Sequence, residues 1–158
     1  MDGMWDVELT DLEATLALGQ SLGCVAEEGT FVALRGDLGA GKTSFSQGVG
    51  HGLGVKQPVV SPTFILMAEY DDGRLPLLHA DAYRLNPNEI RAIGFEEAVE
   101  TWPGVVLIEW AEKVESLLPG DRLMLELSHN GAGRVAHVHA LGPQHVALLT
   151  RWRAHFEE

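Results

Sequence analysis

A glycine-rich loop between an apolar run and a helix-forming segment constrains the fold of this chain more than any other feature. The run at residues 30–34 reads TFVAL, and such a nearly unbroken apolar stretch is typical of a strand buried on both faces. The loop at residues 36–43 reads GDLGAGKT and fits G-x-x-x-x-G-K-[ST] at every fixed position. Glycines let backbone N–H groups approach phosphate oxygens, and a following helix N-terminus adds a partial positive charge. The sequence therefore predicts a phosphate-binding loop at the end of a buried strand.

We expect both the backbone and the side chains of this loop to contact a nucleotide. The Lys42 ammonium suits the β- and γ-phosphates, and the Thr43 hydroxyl suits Mg²⁺. A glycine-rich turn that binds nothing is disfavoured by the strand before the loop and the helix after it. The sequence has no G-x-G-x-x-G motif, which argues against a dinucleotide oxidoreductase. The predicted nucleotide-binding residues of the loop are Gly36, Asp37, Leu38, Gly39, Ala40, Gly41, Lys42, Thr43 and Ser44.

Strand and helix patterns alternate along the chain and predict an α/β fold. Buried-strand runs at residues 30–34 and 105–108 are separated by helical patterns, which indicates a mostly parallel central sheet with helices on both faces. Turn signals at residues 71–73 and 130–131 indicate two hairpins, which should add antiparallel strands to that sheet. A length of 158 residues, without a repeat or a linker, predicts a single domain over residues 1–158.

Several segments give more local expectations. Residues 7–10 have the pattern of a short strand, and Thr10 or Asp11 is a suitable N-cap for the helix that follows. Residues 111–118 have the pattern of one helix, and residues 143–156 that of a closing helix. The helix after residue 42 should fray, because each interior glycine costs a helix about 1 kcal/mol relative to alanine. Its glycines and the ones that follow are Gly48, Gly50, Gly52 and Gly54.

Two acidic residues stand at the ends of predicted buried strands. Glu109 follows the apolar run at residues 105–108, and Asp81 follows the run at residues 77–80. The carboxyl ends of parallel strands form the ligand-binding edge of such a sheet. One carboxylate could hold Mg²⁺ while the other orients the attacking water, and the sequence leaves the assignment open. The alternative for either residue is a solvated acid that caps the next helix.

A short hydroxyl-bearing loop follows the predicted phosphate-binding helix. It consists of Ser61, Pro62 and Thr63, and the proline restricts Ser61 to an extended conformation. Nucleotide switches place a residue that senses the γ-phosphate at a similar point of the chain. We therefore expect a switch-like loop here, and the alternative is an ordinary loop that leads into a strand.

Two residues beside the acids have two interpretations each. Trp110 directly follows Glu109, and it either packs in the core or forms an aromatic wall beside a metal site. Arg84 follows Asp81 closely, and it either pairs with an acid, which we favour, or reaches a phosphate or a partner.

The charge of the chain bears on its partners. Eleven Lys and Arg residues against 23 Asp and Glu residues give a net charge of −12. We expect no strong direct binding of nucleic acid, because that binding depends on Lys and Arg at the phosphates. The alternative is that the acidity only aids solubility. A single cysteine, an acidic N-terminus and the lack of a long apolar stretch predict a cytoplasmic protein that does not engage a membrane.

Five motifs, in order along the chain, resemble those of one protein family. They are GDLGAGKTSF at residues 36–45, VVSPTF at 59–64, HADAYRL at 79–85, IGFEEAV at 93–99 and LIEWAEK at 107–113. In this combination the chain resembles the bacterial tRNA threonylcarbamoyladenosine biosynthesis ATPases, the TsaE family, formerly called YjeE. The glycine-rich loop alone is widespread, whereas S-P-T-[FY], D-x-Y-R and I-E-W at these separations are far more specific. The resemblance runs from about residue 9 to residue 134.

The resemblance implies a small cytoplasmic protein with a P-loop NTPase fold and weak ATPase activity on its own. It implies Mg²⁺ as cofactor, ATP as substrate, and association with TsaD- and TsaB-type threonylcarbamoyl-transfer proteins. Those proteins and a carbamoyl-adenylate synthase make the modified adenosine at position 37 of tRNAs that read codons beginning with A. The ATPase would be needed for repeated cycles rather than for the transfer itself.

The same resemblance implies roles for individual residues. Lys42 would bind phosphate and act in catalysis together with Asp81 and Glu109. Thr43 and Glu109 would hold Mg²⁺, and Trp110 matches a position that is important to the nucleotide cycle of the family. Further nucleotide contacts are implied for Thr10, Asp11 and Arg134.

We therefore expect an Mg²⁺-dependent ATPase that cycles a TsaD/TsaB-type transfer complex and is required for threonylcarbamoyladenosine modification of tRNA. One alternative is a small-molecule P-loop kinase, although residues 61–100 have no cluster of arginines of the kind found in kinase lids. Another alternative is a nucleotide-dependent binding module that does not hydrolyse ATP. A GTPase is disfavoured because the guanine-specific motif N-K-x-D is absent from the sequence.

Overall fold

A computed structural model describes residues 3–37, 39–60 and 67–158 of the chain. Seven strands form one sheet in the order β1-β7-β6-β2-β5-β4-β3. The strands are β1 (Met4–Leu9), β2 (Phe31–Gly36), β3 (Met67–Tyr70), β4 (Leu77–Asp81), β5 (Val105–Glu109), β6 (Arg122–Asn130) and β7 (Gly133–Leu141). The four central strands pair in parallel, while β1, β7 and β3 pair with their neighbours antiparallel. The predicted mixed sheet with a parallel centre is confirmed.

Five α-helices are present in the described part of the chain. They are α1 (Leu12–Val25), α2 (Lys42–Leu53), α3 (Pro87–Ala92), α4 (Phe95–Thr101) and α5 (Pro143–Phe156). The α1 helix begins where predicted, because the Asp11 carboxylate accepts a hydrogen bond from the Ala14 N–H at 2.8 Å. The closing helix also matches its predicted bounds. No helix among the described residues is both long and apolar enough to cross a bilayer.

Helices cover both faces of the central strands. On one face, Val32 of β2 packs in the same cluster as Phe45 of α2 and Trp152 of α5. On the other face, the neighbouring Phe31 packs in the cluster that contains Phe95 of α4. Successive residues of a strand point to opposite faces, so both faces of β2 need apolar side chains. This requirement explains the unbroken apolar run in the sequence.

The expected fraying of α2 is wrong, because its glycines pack against another helix. The α2 helix is unbroken to Leu53. A Cβ atom at Gly48 would overlap the Leu16 carbonyl oxygen of α1, and a Cβ atom at Gly52 would overlap the Gln20 carbonyl oxygen. The two backbones therefore approach more closely than side chains would permit. The dispersion contacts of this approach outweigh the low helix propensity of glycine.

Two other local expectations also require correction. The segment at residues 111–118 forms two short 3-10 turns, Ala111–Lys113 and Glu115–Leu117, rather than one helix. Val114 separates them because its backbone, at φ −136°, is outside the helical region. The first strand begins at Met4 and ends at Leu9, because it pairs with β7 along its whole length. The single domain over residues 1–158 stays a prediction.

Candidate functional site

The carboxyl ends of the parallel strands meet beside a cavity of about 630 Å³. The predicted loop begins at the end of β2, and Asp81 and Glu109 lie opposite each other at the ends of β4 and β5. Open α/β sheets bind their ligands at this edge. Five described residues of the predicted loop line the cavity: Gly39, Gly41, Lys42, Thr43 and Ser44.

The backbone of the loop needs glycine where it turns and where it passes another strand. Gly41 precedes α2 with φ at 104°, which is a left-handed conformation that side chains disfavour. A Cβ atom at Gly36 would overlap the Leu127 carbonyl oxygen. No side chain of the described residues caps the N-terminus of α2, so N–H groups of its first turn are available to an anion. Leu38 lies outside the described residues.

Lys42 is folded back onto the loop. Its ammonium donates hydrogen bonds to the Gly36 carbonyl at 2.6 Å and to the Asp37 carbonyl at 2.9 Å. The same nitrogen lies 4.0 Å from the centre of the Trp110 ring, within range of a cation–π contact. Burial lowers the pKa of Lys42, and the nearby carboxylates, Glu112 first, oppose that shift. The lysine is thus held by neutral dipoles that a charged phosphate could replace.

Glu109 is buried and links the loop helix to the sheet. Its Oε1 accepts a hydrogen bond from the Thr43 hydroxyl at 3.3 Å. Its Oε2 lies 3.3 Å from the Ser46 hydroxyl and 2.5 Å from Nε2 of His79. The two oxygens therefore face different ways, with Oε1 toward the predicted magnesium ligand Thr43. His79 and Ser46 were not predicted as site residues.

Asp81 is also buried at the edge of the cavity. Its Oδ1 accepts a hydrogen bond from the Tyr83 backbone N–H at 2.8 Å, which fixes the carboxylate at the end of β4. The cavity therefore brings together Lys42, Thr43 and both predicted acids. The predicted catalytic and metal-side residues converge on one place, although their chemical roles stay predictions.

The opposite wall of the cavity comes from the start of α1 and the β6–β7 hairpin. Asp11, Thr15 and Arg134 line it. The Arg134 guanidinium donates to the Gly39 carbonyl at 3.0 Å and so connects this wall to the loop. Thr10 is exposed and is not among the lining residues, whereas Thr15 was missed by sequence reasoning. Thr15 lies four residues after Asp11, and on a helix this spacing places both side chains on one face, which could have indicated it.

Aromatic and basic side chains lie at the strand ends beside the two acids. Trp110 has φ at 60°, and its ring lies 4.7 Å from the ring of Tyr83. Trp110 also packs against the core, so it is both a core contact and an aromatic wall of the cavity. Arg84 lines the cavity and has no carboxylate of the described residues within ion-pair distance, which corrects the favoured acid pairing.

The predicted switch-like loop cannot be placed in this site. Ser61, Pro62 and Thr63 all lie outside the described residues. The switch function of this loop therefore stays a prediction.

The fold and the site define an α/β protein with a glycine-rich loop and two buried carboxylates at the carboxyl edge of a central parallel sheet. A family model described as "Threonylcarbamoyl adenosine biosynthesis protein TsaE" matches residues 9–136. The chain belongs to the TsaE family, and the resemblance read from the motifs is confirmed.

Individual relatives agree with the family match. Proteins named "tRNA threonylcarbamoyladenosine biosynthesis protein TsaE" include one from Nostoc sp. (strain PCC 7120) that is 48% identical over 117 residues, 72% of each chain. The Streptomyces coelicolor relative of that name is 39% identical over 142 residues, which are 85% of this chain and 91% of the relative. The crystal structure of YdiB from Bacillus subtilis superposes with a TM-score of 0.84 at 32% identity, and covers 96% of this chain and 95% of that one.

Proposed function

We propose that this chain has a P-loop NTPase fold and is an Mg²⁺-dependent ATPase that serves the threonylcarbamoyladenosine modification of tRNA. One observation carries the ATPase proposal: Lys42, Thr43, Asp81 and Glu109 converge on one cavity at the end of the glycine-rich loop. Phosphoryl transfer needs positioning and charge neutralisation more than covalent chemistry. These four side chains would supply the positioning and the charge neutralisation.

The loop would bind the phosphates of ATP. The N–H groups of the first turn of α2 have no side-chain cap among the described residues. They point out of the helix N-terminus, where an anion could accept their hydrogen bonds. Lys42 would exchange the Gly36 and Asp37 carbonyls for phosphate oxygens. That exchange is favourable because a phosphate oxygen carries negative charge and adds a Coulomb attraction that a neutral carbonyl lacks.

The residues of the site fit magnesium. Mg²⁺ prefers oxygen ligands and is bound by one or two carboxylates together with substrate phosphates. Thr43 and Glu109 offer such oxygens side by side. When bound, Mg²⁺ neutralises charge that develops on the β- and γ-phosphate oxygens. Glu109 is the metal-side acid because its Oε1 faces Thr43.

Asp81 is then the residue that orients the attacking water. It lies beside Glu109 in the register of β4 and β5, and its Oδ1 is held by the Tyr83 N–H. On the other wall, Asp11, Thr15 and Arg134 would contact the nucleoside part of ATP. Thr10 would contribute to the site only by its position directly before Asp11, the N-cap of α1.

Membership in the TsaE family supports the assignment to tRNA modification. The partners would be TsaD- and TsaB-type threonylcarbamoyl-transfer proteins, with ATP turnover returning their complex to its starting state. A net charge of −12 fits a protein that leaves tRNA binding to those partners. Ser61, Pro62 and Thr63 would form the element that differs between the ATP and ADP states.

Reconstitution tests this proposal directly. The chain would be added to a TsaD- and TsaB-type complex, preformed threonylcarbamoyl-adenylate, tRNA and Mg·ATP, and modified adenosine would be counted per complex over many cycles. We expect continued turnover with the wild type and none beyond the first cycle with Lys42→Ala, while Lys56→Ala, at an exposed lysine, behaves as the wild type. Continued cycles with a non-hydrolysable ATP analogue would favour the binding module. ATP consumption that follows an added small-molecule acceptor would favour the kinase.

A further inference from the structure

A fully buried histidine, His79, contacts Glu109, the proposed metal-side acid, through the carboxylate oxygen that faces away from Thr43. His79 is 0% exposed in the middle of β4. Side chains of a strand alternate between faces, so its spacing of two residues from Asp81 places both on the same face. Its Nε2 lies 2.5 Å from Oε2 of Glu109, whereas its Nδ1 is buried and has no hydrogen-bond partner among the described residues.

These contacts determine where the imidazole carries its proton. A neutral imidazole has one N–H group, which donates, and one bare nitrogen, which accepts. A proton on Nδ1 of His79 would be a buried donor with no acceptor in the described part of the chain, whereas a proton on Nε2 can be donated to Oε2 of Glu109. A hydrogen atom on Nε2 therefore fits this geometry, because it points at Oε2 of Glu109.

The hydrogen bond fixes the direction of the carboxylate. His79 and Ser46 hold Oε2 of Glu109 on the buried side. With Oε2 held, Oε1 can only face the Thr43 hydroxyl and the cavity. Rotation of the carboxylate would break the buried contacts, so the orientation is set before any ligand arrives. Partners of this kind orient metal ligands in many proteins.

We propose that His79 is a positioning residue that presents Oε1 of Glu109 to magnesium. This proposal rests on the proposed function of the site as a magnesium–nucleotide site. Packing alone does not account for the histidine, because its strand neighbours Leu78 and Ala80 are apolar and an apolar residue would avoid the cost of burying Nδ1, which has no partner in residues 3–37, 39–60 and 67–158. Its contact with Glu109 is the feature that an apolar side chain could not supply.

Two variants separate positioning from packing. The side-chain amide of glutamine places a donor near the position of Nε2, whereas that of asparagine places one near Nδ1. His79→Gln can therefore still reach Glu109, and His79→Asn cannot. A matched control is His145→Asn, because His145 is also 0% exposed and also contacts a carboxylate, that of Asp121, but lies outside the cavity.

The main measurement is the affinity of each variant for ATP by calorimetry, once with Mg²⁺ and once with a chelator instead. The ratio of the two affinities is the gain due to Mg²⁺. We expect His79→Asn to reduce the gain in affinity due to Mg²⁺ by about 10- to 100-fold. Affinity without metal should be unchanged, and His79→Gln should keep most of the gain. His145→Asn should lower the thermal midpoint and leave the gain intact. Equal gains in His79→Asn and the wild type, or equal losses in the Gln and Asn variants, would overturn the positioning proposal alone.

A measurement on the free protein tests the same proposal without ligand. The ¹⁵N shifts of the His79 ring should report an N–H group at Nε2, and a bare Nε2 would overturn the proposal. This test stands even where His79→Asn does not fold. A wild type whose ATP affinity gains nothing from Mg²⁺ would instead overturn the proposed function, and the positioning proposal with it.

Discussion

At the scale of single residues, the ammonium of Lys42 donates its described hydrogen bonds only to neutral groups. Replacing the lysine with alanine removes the charge that phosphate would meet. A charge-assisted hydrogen bond contributes about 1.5–3 kcal/mol, so Lys42→Ala should lower ATP affinity at least about tenfold. Calorimetry checks this, with the exposed Lys56→Ala as control. Unchanged affinity in Lys42→Ala would remove the phosphate-binding assignment of the loop.

Glu109 should affect the metal more than the nucleotide. Glu109→Gln keeps the size of the side chain but removes the charge that faces Thr43. We expect ATP to bind still, with a weaker dependence on Mg²⁺ and with hydrolysis reduced by about 100-fold or more. A magnesium titration of the ATPase rate measures this, and Glu100→Gln, at an exposed acid, is the control. Full magnesium-dependent turnover in Glu109→Gln would move the metal role to Asp81.

At the scale of elements, the contact between α1 and α2 predicts that replacing a glycine with alanine destabilises the fold. Helix propensity alone predicts the opposite. Propensity alone would make Gly52→Ala stabilising by about 1 kcal/mol. The added methyl group would overlap the Gln20 carbonyl of α1, and such overpacking costs about 1–3 kcal/mol. We therefore expect net destabilisation in urea unfolding. Gly120→Ala is the control because a Cβ atom there meets nothing within 4 Å. A more stable Gly52→Ala would show that the helices separate easily.

Asp121 joins α5 to the sheet and makes stability depend on pH. Its Oδ1 lies 2.6 Å from Nδ1 of His145, whose Nε2 accepts the Phe31 N–H at 2.9 Å. Burial acts to raise the pKa of Asp121, but the hydrogen bonds from His145 and from the Gln144 and His145 backbone N–H groups outweigh it, so the pKa lies below 3.8.

The sign of the pH effect follows from that lowered pKa. A carboxyl group with a lower pKa in the folded state stabilises the fold fully above its unfolded value, and this contribution is lost as the pH falls through the folded value. We therefore expect Asp121→Asn to have a lower thermal midpoint than the wild type at pH 7. The difference should shrink below about pH 3.8. A difference that is constant with pH would assign the effect to shape rather than charge. Asp71→Asn, at an exposed acid, is the control.

Elements whose signals are local could be predicted from the sequence, and those that depend on distant residues could not. The apolar runs of β2 and β5 and the turns of both hairpins each carry their own pattern. The continuity of α2 depends on glycines of α1, such as Gly19 facing Gly48, which no pattern within α2 reveals. His79 was missed for the same reason, since its partner Glu109 is 30 residues away on the next strand.

At the scale of the whole molecule, net charge limits what the chain binds by itself. With 11 basic and 23 acidic residues, the surface has few cations to offset the repulsion of phosphates. We expect tRNA to bind more weakly than about 1 μM at physiological salt, with little gain at lower salt. Filter binding over a salt series measures this, with a TsaD- and TsaB-type complex as the positive control. Tight, salt-dependent binding by the isolated chain would require a basic patch.

The close approach of α1 and α2 has a consequence for how the cavity can close. The start of α1 carries Asp11 and Thr15, and the start of α2 carries Lys42 and Thr43. The backbones of these helices meet without side chains between them, so a shift of one helix along the other would drive backbone atoms into each other. Closure of the cavity around a nucleotide would therefore leave the spacing between Asp11 and Lys42 unchanged.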